Sequence, residues 1–144
     1  MSTLDIEELE VESEEKVDDH YLIYCQLKND TCACPTCKEN SSYVHAYYDR
    51  VVQDLPINGK SVYLKIKCRK FLCKNKECPQ KLFTQKTQFV RPQSKKTKRL
   101  EKVIRKVVTN TSLIEASDTL KQIGIQASKS SIAELLKKNR GLYQ

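Results

Sequence analysis

Residues 60–79, KSVYLKIKCRKFLCKNKECP, hold two patterns back to back. From Val62 to Phe71 the chain alternates: Val62, Leu64, Ile66 and Cys68 share one face, and Tyr63, Lys65, Lys67 and Arg69 share the other. A side-chain period of two predicts a strand with one apolar and one basic face. At Cys73 the alternation stops, and Cys73-Lys74-Asn75-Lys76-Glu77-Cys78-Pro79 reads as a polar loop with cysteines at C-x₄-C spacing. Upstream, Ser42 to Leu55 mixes Tyr, Val and polar residues and reads as a partner strand, with Pro56-Ile57-Asn58-Gly59 as the turn between them.

A second cysteine pair, Cys34-Pro35-Thr36-Cys37, stands before this strand pair. Thiolates bind Zn²⁺ strongly, and a tetrahedral site closes most easily when each of two tight turns supplies two ligands. Two turns separated by two strands are what a zinc ribbon requires, so Cys34, Cys37, Cys73 and Cys78 are the expected ligands. A closed four-thiolate set leaves no coordination position for water and predicts a structural zinc. The other candidates differ in context. Cys68 has the parity of Val62 and Ile66 and reads as a small core hydrophobe, as does Cys25 within its own strand. Cys32 remains an exposed thiol or an alternative ligand, and His20 and His45 lack a partner at ligand spacing.

Charge is unevenly distributed. The 144 residues carry a formal net charge of +8, yet residues 1–19 contain nine acidic residues and only Lys16. Between Lys60 and Lys106 there are 17 Lys and Arg against Glu77 and Glu101, a local excess that suits a polyanionic partner. The seven cysteines are odd in number, and MSTLDIEELE lacks the basic and apolar regions of a signal peptide. A reducing, cytoplasmic setting is expected. No apolar run approaches the ~20 residues of a membrane span. Leu9, Val11 and Val17 alternate with polar residues ahead of a Val17-Asp18-Asp19-His20 turn, so the acidic stretch reads as one arm of a hairpin with Tyr21–Leu27 as the other.

Downstream, residues 84–98, TQKTQFVRPQSKKTK, lack periodicity and read as a cationic linker with a boundary near Pro92. The expected organisation is a β-rich zinc-binding domain over 1–91 and a helical domain over 92–144. Leu100, Val103, Ile104, Val107 and Val108 recur at helical spacing. A second helix is expected over Ser112–Gln122, ended by Gly124. A third begins near Ser128 to Ser131, with Ser131 and Glu134 as a capping box and Gly141 as its stop. Three short helices with a tight turn between the last two suggest a helix-turn-helix, giving an α+β fold: a small antiparallel zinc-ribbon-like domain followed by a three-helix domain.

In this order the pieces resemble the N-terminal region of insertion-sequence transposases of the ISL-three group. CPTC at 34–37, VHAYYDRVVQDLPINGKSVYLKIKCRKFLC at 44–73, CPQKLFTQ at 78–85 and the helical segment to Lys138 carry the resemblance. It implies a zinc-binding β-domain and a helix-turn-helix that together recognise terminal inverted repeats, with catalysis by an Asp-Asp-Glu site in a later ribonuclease-H-like domain. Arg69, Lys70 and Phe71 match the family's basic-basic-Phe motif. No catalytic acid carries over, so this chain is expected to bind double-stranded DNA and not to be an enzyme.

On that expectation the third helix enters the major groove through Lys129, Ser130, Ser131, Glu134 and Lys137, with Lys138 and Arg140 nearer the backbone. Lys95, Lys96, Lys98 and Arg99 are the expected phosphate or minor-groove contacts. Two alternatives belong to other classes. One is a stand-alone relative that represses by occupying DNA, self-associating or pairing with intact transposase. The other is a zinc-ribbon module for RNA or protein.

Overall fold

The structure, a computed structural model, describes residues 6–108 and 112–142, with side chains described as far as Lys137. Lys138 and Arg140, expected near the DNA backbone, therefore fall outside the described side chains.

The predicted N-terminal hairpin is present. β1 (Leu9–Val17) and β2 (His20–Leu27) pair antiparallel, from Leu9 opposite Leu27 to Val17 opposite His20. Asp18 takes φ +50 in the turn. β5 (Val44–Ile57) and β6 (Lys60–Leu72) form a longer antiparallel hairpin closed by Asn58 and Gly59 at φ +53 and +72. Asn-Gly is the pair most tolerant of the two positive φ angles that a twist-matched two-residue turn demands.

The sheet order is β1-β2-β6-β5, and β2 runs parallel to β6, with Ile23 opposite Leu64 and Cys25 opposite Ile66. The sheet is thus mixed, where an antiparallel one was expected. After β2 the chain passes through the first cysteine turn to the far edge, lays down β5, and returns as β6 between β5 and β2. A strand antiparallel to β5 in that slot has to be parallel to β2. Beyond the parallel segment, β7 (Leu82–Thr84) takes the same side of β6, with Phe83 opposite Phe71.

The alternation in residues 62–68 has its expected consequence. Val62, Leu64, Ile66 and Cys68 are at most 2 % exposed and pack with Ile23, Cys25, Leu27 and Val52 on one sheet face. Full burial of such side chains contributes about 1.5–3 kcal/mol each. Val90 and Phe89 close this core from the segment that reads as a linker.

That segment is a strap docked to the sheet. Gln53 N donates to Lys95 O (2.8 Å), Thr97 N donates to Gln53 O (2.9 Å), and the Arg50 guanidinium donates to Arg91 O and Ser94 O. Main-chain groups make most of these bonds, which is why side-chain periodicity is silent about them. The strap also covers the unpaired edge of β5.

Three helices follow: α1 (Lys98–Val108), α2 (Leu113–Gln122) and α3 (Lys129–Leu142). Leu100, Ile104, Val108, Ala116, Leu120, Ile125, Ile132 and Leu135 form their common core, to which β5 adds Leu55. Thr97 caps α1: its hydroxyl accepts from Leu100 N (3.3 Å) and donates to Asp54 Oδ1 (2.8 Å). Asp54 is 1 % exposed and also binds the half-buried Arg99 guanidinium, so an ion pair ties α1 to β5.

Ser112 caps α2, and Gly124 at φ +93 ends it, with Ile125 N donating to Leu120 O and Gly124 N to Lys121 O. This is a Schellman closure with a glycine in the left-handed position. The cap of α3 is Ser128, whose Oγ accepts from Ser131 N (3.1 Å), so the expected Ser131–Glu134 box lies three residues too late. The helix also continues through Gly141, because a terminal glycine ends a helix only when its backbone turns left-handed.

Three further bonds seat the α2–α3 turn on the sheet. Ser61 Oγ donates to Gly124 O (2.7 Å), and the Gln53 amide, oriented to satisfy both its groups, donates to Gln126 O and accepts from Gln126 N. Among the described residues no helix is long and apolar enough to cross a membrane.

Candidate metal centre

Two backbone knuckles at one end of the β5–β6 hairpin present the four expected thiols. In the first, β3 (Cys32–Ala33) and β4 (Asn40–Ser41) form a two-residue ladder around Cys34–Cys37. Cys34 N donates to Glu39 O, Lys38 N donates to Cys34 O, and Lys38 takes φ +67 to close the turn. In the second, Cys73 N donates to Lys81 O (2.7 Å), while Asn75 folds the loop by accepting from Glu77 N through its side chain and from Cys78 N through its carbonyl. Ser41 Oγ donates to Leu72 O, and Thr36 donates to Gln80, joining the knuckles to each other and to β6.

All four sulfurs lie within 4.8 Å of one another. Cys34 Sγ is 3.8 Å from Cys78 Sγ, and Cys37 Sγ is 3.6 Å from Cys73 Sγ. A tetrahedron with Zn–S bonds of about 2.3 Å has S···S edges of about 3.8 Å, so the sulfur cage already has the dimensions of a Zn²⁺ site. Cys34, Cys73 and Cys78 are buried, and Phe71 and Phe83, stacked at 5.7 Å, form the apolar floor. Among the described residues these cysteines are the group of three or more metal-ligating side chains brought together.

The thiols differ in acidity. The Cys37 backbone N–H, helped by that of Thr36, outweighs burial and holds the Cys34 thiol down at about 7. At Cys73 the Asn75 N–H acts in the same direction, but burial and the neighbouring thiols prevail and push it up to about 12. Burial likewise raises Cys78. Protonated thiols crowded at van der Waals distance are stable company only while neutral, and a divalent cation reverses that balance by binding them as thiolates. Four thiolates complete the tetrahedron, so the zinc is structural.

The competitors fall where their contexts place them. Cys25 and Cys68 are buried in the sheet core, and Cys32 is half-buried with its Sγ 3.6 Å from Ala33 O, outside the four-sulfur group. His20 lies beside Asp19 and edge-on to Tyr63, and His45 is exposed.

The cations expected at DNA have varied surroundings. Arg69 donates to Leu27 O and Asn29 O, bracing the end of β2, and Arg99 is engaged with Asp54. Lys70 is half-buried on β6, and Lys98 is exposed at the start of α1. Lys129, Ser130, Glu134 and Lys137 are exposed on α3. Lys95, Lys96, Ser131 and Glu134 meet around one cavity of about 300 Å³ between the strap and α3. Burial lowers the Lys96 pKa.

Two buried carboxylates do more structural work than their sequence context suggests. Glu101, 3 % exposed, binds the Arg91 guanidinium and holds the strap against α1, while Asp54 holds β5 against α1 through Arg99. The signal for Glu101 is its position: it precedes Ile104 and Val108 by three and seven residues, on the apolar stripe, where an acid needs a partner.

No curated protein and no solved structure matches the chain. A family match does cover the metal centre, beginning just before the first knuckle and ending on its last ligand. Residues 30–78 match the family described as the zinc-finger of transposase IS204/IS1001/IS1096/IS1165, and all four clustered thiols lie within the matched residues.

Proposed function

We propose that the chain is the DNA-binding part of an ISL3-type transposase, which recognises the terminal inverted repeats of its element. In this reading residues 1–91 form the zinc-braced β-module and residues 92–144 a helix-turn-helix, with α3 in the major groove. The zinc-finger match supports a DNA-binding, transposase-related role. The observation that carries the finer assignment is the convergence of Lys95 and Lys96 from the strap with Ser131 and Glu134 from α3 around one cavity. Lysines neutralise phosphates without reading sequence, whereas short polar side chains near the start of a recognition helix reach base edges.

Lys129, Ser130, Ser131, Glu134 and Lys137 would face the groove, with Lys138 and Arg140 nearer the backbone. Lys95, Lys96 and Lys98 are the phosphate contacts. Arg69 and Arg99 enter the assignment mainly by holding β2 and α1 in place, and Lys70 as a cation beside the zinc end. The role is binding, with strand cleavage assigned to an Asp-Asp-Glu domain outside these residues. Fluorescence anisotropy with element-end and random duplexes tests this. If about six phosphates are neutralised, log K falls with log salt at a slope near −5. A slope near zero, or equal affinity for both duplexes, would refute inverted-repeat recognition by this mechanism.

A further inference from the structure

One face of the sheet is buried; the other is covered near the β5–β6 turn, where Ser61 and Gln53 meet the α2–α3 turn, and is bare toward the zinc end. Register places Tyr24 of β2, Lys65 of β6 and Val51 of β5 in one row of the bare face, and Gln26, Lys67 and Asp49 in the next. Tyr47, on β5 opposite Arg69, is 56 % exposed, and Val51 is 50 % exposed. Each tyrosine of this face that neighbours β6 has a lysine over its ring. Lys65 Nζ is 5.8 Å from the Tyr24 centroid, and Lys67 Nζ is 4.5 Å from that of Tyr47. The zinc end repeats the pairing, with Lys74 Nζ 3.8 Å from the ring of Tyr43, itself 52 % exposed.

We propose that this face binds single-stranded nucleic acid, each tyrosine stacking a base while its lysine turns to the adjoining phosphate. The proposal rests on the nucleic-acid reading above and names a second substrate form for the β-module: unpaired strand. A nucleotide joins a flat π surface to an anion, and a Tyr–Lys pair offers a platform for the first and a cation for the second. Duplex DNA cannot use such pairs, because its base faces are already stacked on one another.

Charge complementarity sets the path. The cations Lys65 and Lys67 lie on the central strand β6, while Glu15, which accepts from the Tyr24 hydroxyl (3.2 Å), belongs to the acidic edge strand β1. Phosphates are thereby repelled from the β1 edge and drawn to the β6–β5 half. Asp49, 4.0 Å from Lys65, tempers the cation density there.

The test uses the zinc-loaded full chain and anisotropy with a labelled oligothymidylate and with a mixed-sequence duplex of equal length. Tyr47 is exposed, so Tyr47→Ser should keep the zinc content and the urea midpoint. We expect Tyr47→Ser to weaken oligothymidylate binding about tenfold, Tyr47→Phe to stay near the native value, and duplex binding to be unchanged in both. Asp49→Asn should tighten single-strand binding. The chain has no tryptophan, so tyrosine emission should fall on adding oligothymidylate, and fall less in Tyr47→Ser. Binding of duplex without single strand overturns this proposal and leaves the helix-turn-helix assignment standing. Binding of neither overturns both. Equal loss of both ligands in Tyr47→Ser, or a changed oligomeric state by light scattering with unchanged binding, makes the face a duplex contact or an interface between copies and overturns it as well.

Discussion

Replacing Gly124 by alanine should cost about 3–4 kcal/mol. At φ +93 a Cβ is strained by about 1–2 kcal/mol wherever it occurs. Here it would also lie 2.7 Å from Gly59 O and 2.8 Å from Gly59 C, and those atoms are backbone, not a side chain that can swing away. The β5–β6 turn and the α2–α3 turn would have to separate by several tenths of an ångström. That separation stretches the Ser61–Gly124 bond and the paired bonds between Gln53 and Gln126, each contributing about 1 kcal/mol.

Gly59→Ala is the internal control. It shares the positive φ, at +72, but an added Cβ meets nothing within 4 Å, so only the backbone strain of about 1–2 kcal/mol applies. Urea unfolding of the zinc-loaded proteins, followed by circular dichroism with m-values compared, measures both. If Gly124→Ala falls within about 0.5 kcal/mol of Gly59→Ala, the two turns are not clasped as described, and the seating of α3 on the sheet fails with them.

Asp54→Ala, which removes the carboxylate that the Arg99 guanidinium and the Thr97 hydroxyl bind, should cost about 3 kcal/mol by the same assay, a figure set low because Arg99 is about a third exposed. A loss below 1 kcal/mol would contradict the structural role given to that pair. Cys32→Ser should leave bound zinc unchanged, whereas Cys34→Ser should lower affinity by orders of magnitude in a chelator competition; the reverse result would exchange their roles. Zinc affinity should weaken as pH falls from 8 to 6, because protons compete for the thiolates. The Cys73 thiol, pushed up to about 12, is protonated throughout that range in the metal-free protein and must release its proton on binding. A pH-independent affinity would count against thiolate ligation.

Local chemistry was readable wherever it decided local structure. The alternation of Val62 to Cys68, the glycine after α2 and the two cysteine pairs each act through near neighbours, and each is found as expected. The parallel pairing of β2 with β6 was hidden, because it depends on how the chain routes between strands far apart in sequence. Residues 84–98 were misread as a linker. Pro92 and the lysines there resemble one, while the strap docks through backbone groups and through Val90 and Arg91. The start of α3 reads as lying near Ser128 to Ser131 with Ser131 as the cap, but several serines there are competent caps, and the one that caps the helix is Ser128, which accepts from Ser131 N.

The central claim is that four cysteines hold one structural zinc that supports the β-module. Native mass spectrometry of protein purified under reducing conditions, combined with time-resolved thiol alkylation mapped by peptide, tests it most directly. One zinc per chain is predicted, with Cys34, Cys37, Cys73 and Cys78 protected until a chelator removes the metal and the fold, while Cys32 reacts first. A metal-free chain of unchanged fold, or four thiols that alkylate as fast as Cys32, would contradict it.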